Sequence, residues 1–133
     1  MTFDAIGIAA TGMTVHRKWL DAISDNISNI NDVTSTSDAA FQERFVVASA
    51  TGNPRDNEGV HVAGTMLGDA TGRMVYEPDH PLADEAGYVK YPDIDLSSQM
   101  TQLIMAQRGY QANAAVVDRA KTSYEQAIAI GQN

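Results

Sequence analysis

Residues 3–30, FDAIGIAATGMTVHRKWLDAISDNISNI, decide the fold. Apolar residues fall at Ile6, Ala9, Met13, Leu20, Ile23, Ile27 and Ile30, with His16 filling the one vacancy. The steps alternate between three and four residues, the period of a helix whose narrow apolar seam must pack along another helix. Such a helix runs about 40 Å at ~1.5 Å per residue. Asn29, Asn31, Asp32 and the Thr34–Ser37 cluster end it, because these side chains compete for backbone hydrogen bonds.

The C-terminal third carries the same rhythm. Leu96, Met100, Leu103, Gln107, Tyr110, Ala114, Val117, Lys121, Tyr124 and Ile128 step by four and three, and eight of these ten are apolar or aromatic. No proline follows Pro92, Asp95 or Ser97 suits an N-cap, and Gly131 sits where a helix commonly stops. Gly109 inside this helix costs up to about 1 kcal/mol relative to alanine, a cost that a close helix–helix approach would offset.

Between the helices lie short β-prone runs at 41–47, 60–66, 74–76 and 88–91, separated by Thr51-Gly52-Asn53-Pro54 and Glu77-Pro78-Asp79-His80-Pro81. The expected fold class is therefore α+β: long N- and C-terminal helices paired as a coiled coil, with a small β-rich insert between them. The expected segments are a helix over 1–33, an insert over 34–92 and a helix over 93–133, the two helices forming one domain. Two narrow seams bury little apolar area, so further copies or relatives are expected to pack laterally.

Composition excludes several functions. The 133 residues suit one domain, with 44% apolar and 20% charged residues arguing against disorder. A net charge of −8 argues against nucleic-acid binding, and the absence of cysteine removes disulfides, thiolate catalysis and cysteine-ligated metals. Nine acids and four bases fall in residues 34–92, so the insert carries most of the surplus. The N-terminus does not read as a cleaved signal, and no stretch approaches the roughly 18 apolar residues of a spanning helix. On these grounds the chain is expected to be soluble and not membrane-spanning.

The chemistry-bearing residues do not assemble into a site. His16 lies on the seam, where a half-buried imidazole is the plain reading. His80 with Asp79, Asp84 and Glu85 makes a polar loop that lacks the spaced oxygen ligands of an EF-hand. Asp93 and Asp95 at a helix entry read as capping residues rather than an acid–base pair. No phosphate loop, HExxH or GxSxG motif occurs. The reading is of no enzyme, no cofactor and no metal. Trp19 reads either as a core flank or as an anchor for a neighbouring subunit.

Three blocks together resemble a known family. Leu20–Asn29, LDAISDNISN, followed by Asn31 and Thr34, is similar to the Asn-apolar-Ala-Asn signature of flagellar rod, hook and hook-associated proteins. Residues 75–84, VYEPDHPLAD, leading to 87–93, GYVKYPD, resemble the corresponding block of the proximal-rod, FlgC-type members. Gln99-Met100, the run 106–113 (AQRGYQAN) and Ala120-Lys121 look like the family's C-terminal positions. Ser28 stands where alanine is usual, Asp93 where asparagine is usual and Gln99 where glutamate is usual. Residues 34–44 replace the usual Gly/Pro-bearing lead into Tyr-Arg, with Phe41 and Arg44 in its place.

The resemblance implies a structural subunit of the bacterial flagellar basal body, polymerising helically into the hollow proximal rod that transmits torque from motor to hook. It implies export beyond the cytoplasmic membrane through the flagellar type III apparatus, into the periplasmic space where an outer membrane exists. The implied partners are copies of the chain and rod proteins of the FlgB, FlgF, FlgG and FliE types. Trp19, Ile23, Asn26, Asn29, Leu103, Arg108, Tyr110 and Asn113 are the expected interface or helix-end positions, with Asn26 and Asn29 serving helix-end backbone groups and Arg108 an acid of a neighbour. The rival readings are another axial subunit, a cytoplasmic helical export adaptor or chaperone, and a metal-dependent enzyme using His61 or His80.

Overall fold

In the computed structural model, which describes residues 2–52 and 58–131, the order of elements is α1 (Thr2–Ser28), β1 (Arg44–Ala50), β2 (Val60–Leu67), β3 (Arg73–Tyr76), β4 (Tyr88–Tyr91) and α2 (Leu96–Gly131). The fold is mixed α+β, two helices with small antiparallel sheets. Part of the turn expected at Asn53-Pro54 lies outside the described residues.

Both helix ends are set by short polar side chains. Asp95 caps α2, its carboxylate accepting the Ser97 N–H at 3.0 Å while its carbonyl accepts the Gln99 N–H. Asn29 closes α1 by donating its side-chain amide to the Asp25 carbonyl at 2.8 Å.

β1 and β2 form one two-stranded sheet and β3 and β4 another. In the first, the Thr51 N–H donates to the Gly59 carbonyl and the Gly68 N–H to the Glu43 carbonyl, so the strands run antiparallel. In the second, Arg73 opposes Tyr91, Met74 Lys90, Val75 Val89 and Tyr76 Tyr88. The period-two alternation turns Val75 and buried Val89 to one face and the Tyr76–Tyr88 ring pair to the other. Thr34 forms a bridge to Lys90 on the far edge of β4, so the 34–44 segment is tied into this sheet.

The chain divides into two compact units. The first comprises Met1–Leu20, Val46–Gly64 and Ile104–Asn133. Within it the Val60 N–H donates to the Thr11 hydroxyl at 3.1 Å and seats the start of β2 on α1. The second comprises Asp21–Phe45 and Thr65–Leu103. Its core is Ala22, Ile23, Ala40, Val89, Pro92 and Ile94. Gly72 in this unit has φ +63°, and a Cβ there would lie 2.4 Å from the Tyr91 carbonyl oxygen, so only glycine fits.

The buried lines on the helices follow the expected seams only in part: Ala9 and Ile23 on α1 and Leu103, Tyr110, Ala114 and Val117 on α2 are covered as expected, and the other seam positions less so. On α1 the buried residues are Ala9, Gly12, Val15, Ala22, Ile23 and Asn26, while Met13, Leu20, Ile27 and Ile30 are only half-buried. On α2 the line runs through Gln99, Leu103, Ala106, Tyr110, Asn113, Val117 and Ala120, leaving Leu96, Met100, Gln107, Lys121, Tyr124 and Ile128 exposed. The steps of four and three persist on α2; the phase moves at alternate positions. Apolar periodicity passes over glycines and amides, whereas the close approach of two backbones at Gly12 and Gly109 and the buried amides of Asn26 and Gln99 draw these residues into the line.

Candidate functional site

Two constellations concentrate the sequence's unusual residues, one in each unit. In the first unit α1 and α2 meet through a reciprocal pair of glycines. His16 lies over Gly109, where an added Cβ would sit 2.1 Å from Nε2, and Asn113 lies over Gly12, where a Cβ would sit 2.9 Å from the amide. Each of these side chains is also tied to its own helix four residues back: His16 Nδ1 bonds the Gly12 carbonyl at 2.8 Å, and Asn113 Nδ2 donates to the Gly109 carbonyl at 2.9 Å. A carbonyl only accepts, so Nδ1 carries the proton. Each helix thus supplies a glycine gap and, one turn on, a polar side chain that fills the gap opposite.

In the second unit two buried amides join α1, α2 and the start of β1. Asn26, 1% exposed, accepts the Arg44 N–H at 2.8 Å and donates back to the Arg44 carbonyl at 3.0 Å, so its side chain pairs with the strand as a short backbone segment would. The same Nδ2 donates to Gln99 Oε1 at 3.0 Å, and Gln99, wholly buried, donates its own amide to Glu43. β1 therefore begins at Arg44, three residues later than its apolar run. The Arg44 guanidinium pairs with Asp25 at the surface, where an ion pair contributes little.

These contacts place the expected site residues. Ile23 and Asn26 are buried, and Asn26 serves the Arg44 backbone rather than the end of α1. Asn29 does serve the helix end. Trp19 is half-buried, its ring 6.2 Å from that of His16, and it lines a hollow of about 350 Å³ with Val15, Val46 and Val60. Leu103, Tyr110 and Asn113 lie half-buried along α2, and Arg108 is exposed. Sequence reasoning missed Gly12 and Glu43. The signal for the first was the shared spacing Gly12-x-x-x-His16 and Gly109-x-x-x-Asn113.

The comparisons with known proteins converge. Residues 85–130 match the family described as flagellar basal body rod FlgEFG protein C-terminal. The flagellar basal-body rod protein FlgC of Escherichia coli O6:H1 is 32% identical over 126 residues, covering 94% of this chain and 94% of that protein. The chain belongs to the FlgC family. The FlgC of Borreliella burgdorferi is 31% identical over 148 residues, covering 98% of this chain and 97% of its own, and that of Bacillus subtilis is 24% identical over 147 residues. As a FlgC-family chain it is a structural subunit of the flagellar basal-body rod and not an enzyme. No helix among the described residues is long and apolar enough to cross a membrane.

The FlgC-like loop between β3 and β4 uses Asp84 and His80 for its own architecture. Asp84 accepts the N–H groups of Ala86 and Tyr88 and the Thr36 hydroxyl, and His80 Nδ1 accepts the Leu82 N–H. The Tyr88 N–H bond, chief among these, holds the Asp84 carboxyl below its ordinary 3.8 against a smaller opposing desolvation. A depressed carboxyl stabilises the loop above the unfolded value and loses that contribution as pH falls through the folded value. The Ala86 and Tyr88 amide resonances should therefore move together as pH falls, with a shared midpoint below 3.8. A shared midpoint above 3.8 would contradict the assignment of Asp84 as their acceptor.

Proposed function

We propose that this chain polymerises helically into the hollow proximal rod and carries torque from motor to hook, with residues 1–33 and 93–133 acting as one axial, coiled-coil domain and residues 34–92 as its insert. Export through the flagellar type III apparatus delivers it beyond the cytoplasmic membrane, into the periplasm where an outer membrane exists. Its neighbours are further copies and rod proteins of the FlgB, FlgF, FlgG and FliE types. Trp19, Asn29, Leu103, Arg108, Tyr110 and Asn113 contribute to subunit contact, with Ile23 and Asn26 fixing the helices from beneath.

One observation carries this reading. While α2 spends one narrow line of residues on its own chain, Leu96, Met100, Ile104, Met105, Val116, Ile128 and Ile130 remain exposed along it, Ile130 at 77%. So much apolar surface spread along a helix is the signature of lateral assembly.

The primary test is stoichiometric: the chain should be recovered in purified hook–basal bodies, and its absence from basal bodies with an intact rod would refute the reading. The second is mutational. Met105→Asp and Ile128→Asp place charge on exposed positions of α2, so the free chain should melt as the wild type does while motility is lost. Swimming cells would show that α2 meets no neighbour at these positions.

A further inference from the structure

The charge of the chain is divided unequally between its two units. The first holds six Lys and Arg against five Asp and Glu, the second three against twelve, so a net +1 and a net −9 make up the total of −8. In identical chains the acidic units repel one another, whereas the near-neutral first unit can receive an acidic unit wherever its own cations gather.

The two surfaces have definite centres. On α1 of the first unit, exposed Arg17 and Lys18 stand at the margins of two shallow hollows of about 210 and 260 Å³ that share Thr14 as a common wall. Met13 and Tyr110 line the first hollow and Val60 and Val62 the second, so each joins an apolar floor to a cation. Neither cation makes an ion pair among the described residues. In the second unit the loop after β3 presents Leu82, 45% exposed, between the exposed acids Asp79 and Glu85. Asp84 and His80 hold this tip in shape, whereas Asp79 and Glu85 take no part in that bonding. A loop whose backbone needs no ordering on contact loses less entropy in binding.

We infer that the Arg17/Lys18 face of one copy receives the 79–85 loop of a second copy, Leu82 entering an apolar hollow while Asp79 and Glu85 meet the two cations. The contact joins different surfaces of two copies, and such a heterologous contact propagates into a helical array where its rotation does not close. The inference rests on the rod-subunit reading and adds a particular contact to it.

The cysteine-free chain permits a direct test. In basal bodies from cells whose only copy carries both Thr14→Cys and Leu82→Cys, mild oxidation should produce a ladder of dimers and higher multimers. Co-expressed single-cysteine chains should stop at dimers, and either one alone should stay monomeric. A double-cysteine chain recovered in basal bodies but not cross-linked overturns the contact and leaves the rod reading intact; absence of the wild-type chain overturns the rod reading itself. Charge exchange supplies an independent measurement. Arg17→Glu with Lys18→Glu should cut swarming at least tenfold, and adding Asp79→Lys with Glu85→Lys should restore most of it. Wild-type swarming by the first variant, or no gain from the second pair of changes, overturns the contact.

Discussion

Replacing Asn26 with alanine should lower the free energy of unfolding by about 2–4 kcal/mol, one of the two largest effects expected of a single substitution in this chain. The side chain makes no contact with solvent to speak of, and it satisfies the Arg44 N–H, the Arg44 carbonyl and Gln99 Oε1 at once. Alanine removes all three partners and leaves the Gln99 oxygen buried without a donor, at about 1–3 kcal/mol for such a group. The two Arg44 groups lie nearer the surface, where water recovers part of their loss. Aspartate is the sharper probe. It keeps the acceptor for the Arg44 N–H but sets its second oxygen against the Arg44 carbonyl and Gln99 Oε1. Rotating the Gln99 amide to donate to it would turn that residue's oxygen towards Glu43 instead, so no orientation serves both acids. The new carboxyl, buried in place of the amide, would titrate above its unfolded value of about 3.9, so the deficit of Asn26→Asp should be smallest below that pH, where its single O–H serves one of the two acceptors, and grow as pH rises. Urea unfolding at pH 3.5 and pH 7 measures both effects, and a deficit independent of pH would show that the clamp does not bury this group as described.

The same residue shows what the sequence could and could not disclose. Its place in the LDAISDNISN block marked it as special, and its position on a helix face suggested a helix-end duty. Its actual partner, the Arg44 backbone, is eighteen residues away on a strand whose start the apolar pattern put at Phe41. Hydrophobic periodicity reports which face of an element is covered, not which backbone groups a polar side chain will meet. The extents of the helices were legible because α1 and α2 are long and bounded by Asn, Asp and Gly. The β-strands were legible because glycine and proline punctuate them.

The phase of the helix seams was the least legible feature, and the cause is again physical. Met13, Leu20 and Ile27 outweigh Gly12, Trp19 and Asn26 as a periodic apolar series, yet the structure buries Gly12 and Asn26 and leaves the larger residues half-covered. A glycine carries no apolar signal of its own; its value lies in the side chain that another helix brings to it. His16 was readable as a seam residue, and Gly109 as a position whose propensity cost needed offsetting. The His16–Gly109 contact supplies the offset. No catalytic arrangement was legible because the polar residues that stand out are occupied with holding backbone or one another: Asp84 and His80 in a loop, Asn26 and Gln99 at a three-element junction, His16 and Asn113 between helices.

Gly109→Ala should invert the usual effect of that change. In an open helix the substitution gains up to about 1 kcal/mol, because alanine loses less backbone freedom on folding. Here the new Cβ would lie 2.1 Å from His16 Nε2 and 2.3 Å from Cδ2. The ring cannot swing aside without giving up its 2.8 Å bond to the Gly12 carbonyl, and Gly12 in turn is the gap that receives Asn113. Relief at one gap therefore disturbs the other, and the expected net cost is about 1–3 kcal/mol, as for other overpacked contacts. Two controls separate this account from a general intolerance of substitution. Gly7 lies on the same helix as His16 with no atom within 4 Å of an added Cβ, so Gly7→Ala should stabilise the chain. Combining Gly109→Ala with His16→Ala removes the obstructing ring, so the double variant should be more stable than the sum of the single effects allows. Additive losses would mean that Gly109 matters for some reason other than His16. Larger residues at 109 should push the helices apart and end assembly as well as lower stability, since the line that positions Tyr110 and Asn113 depends on the same close approach.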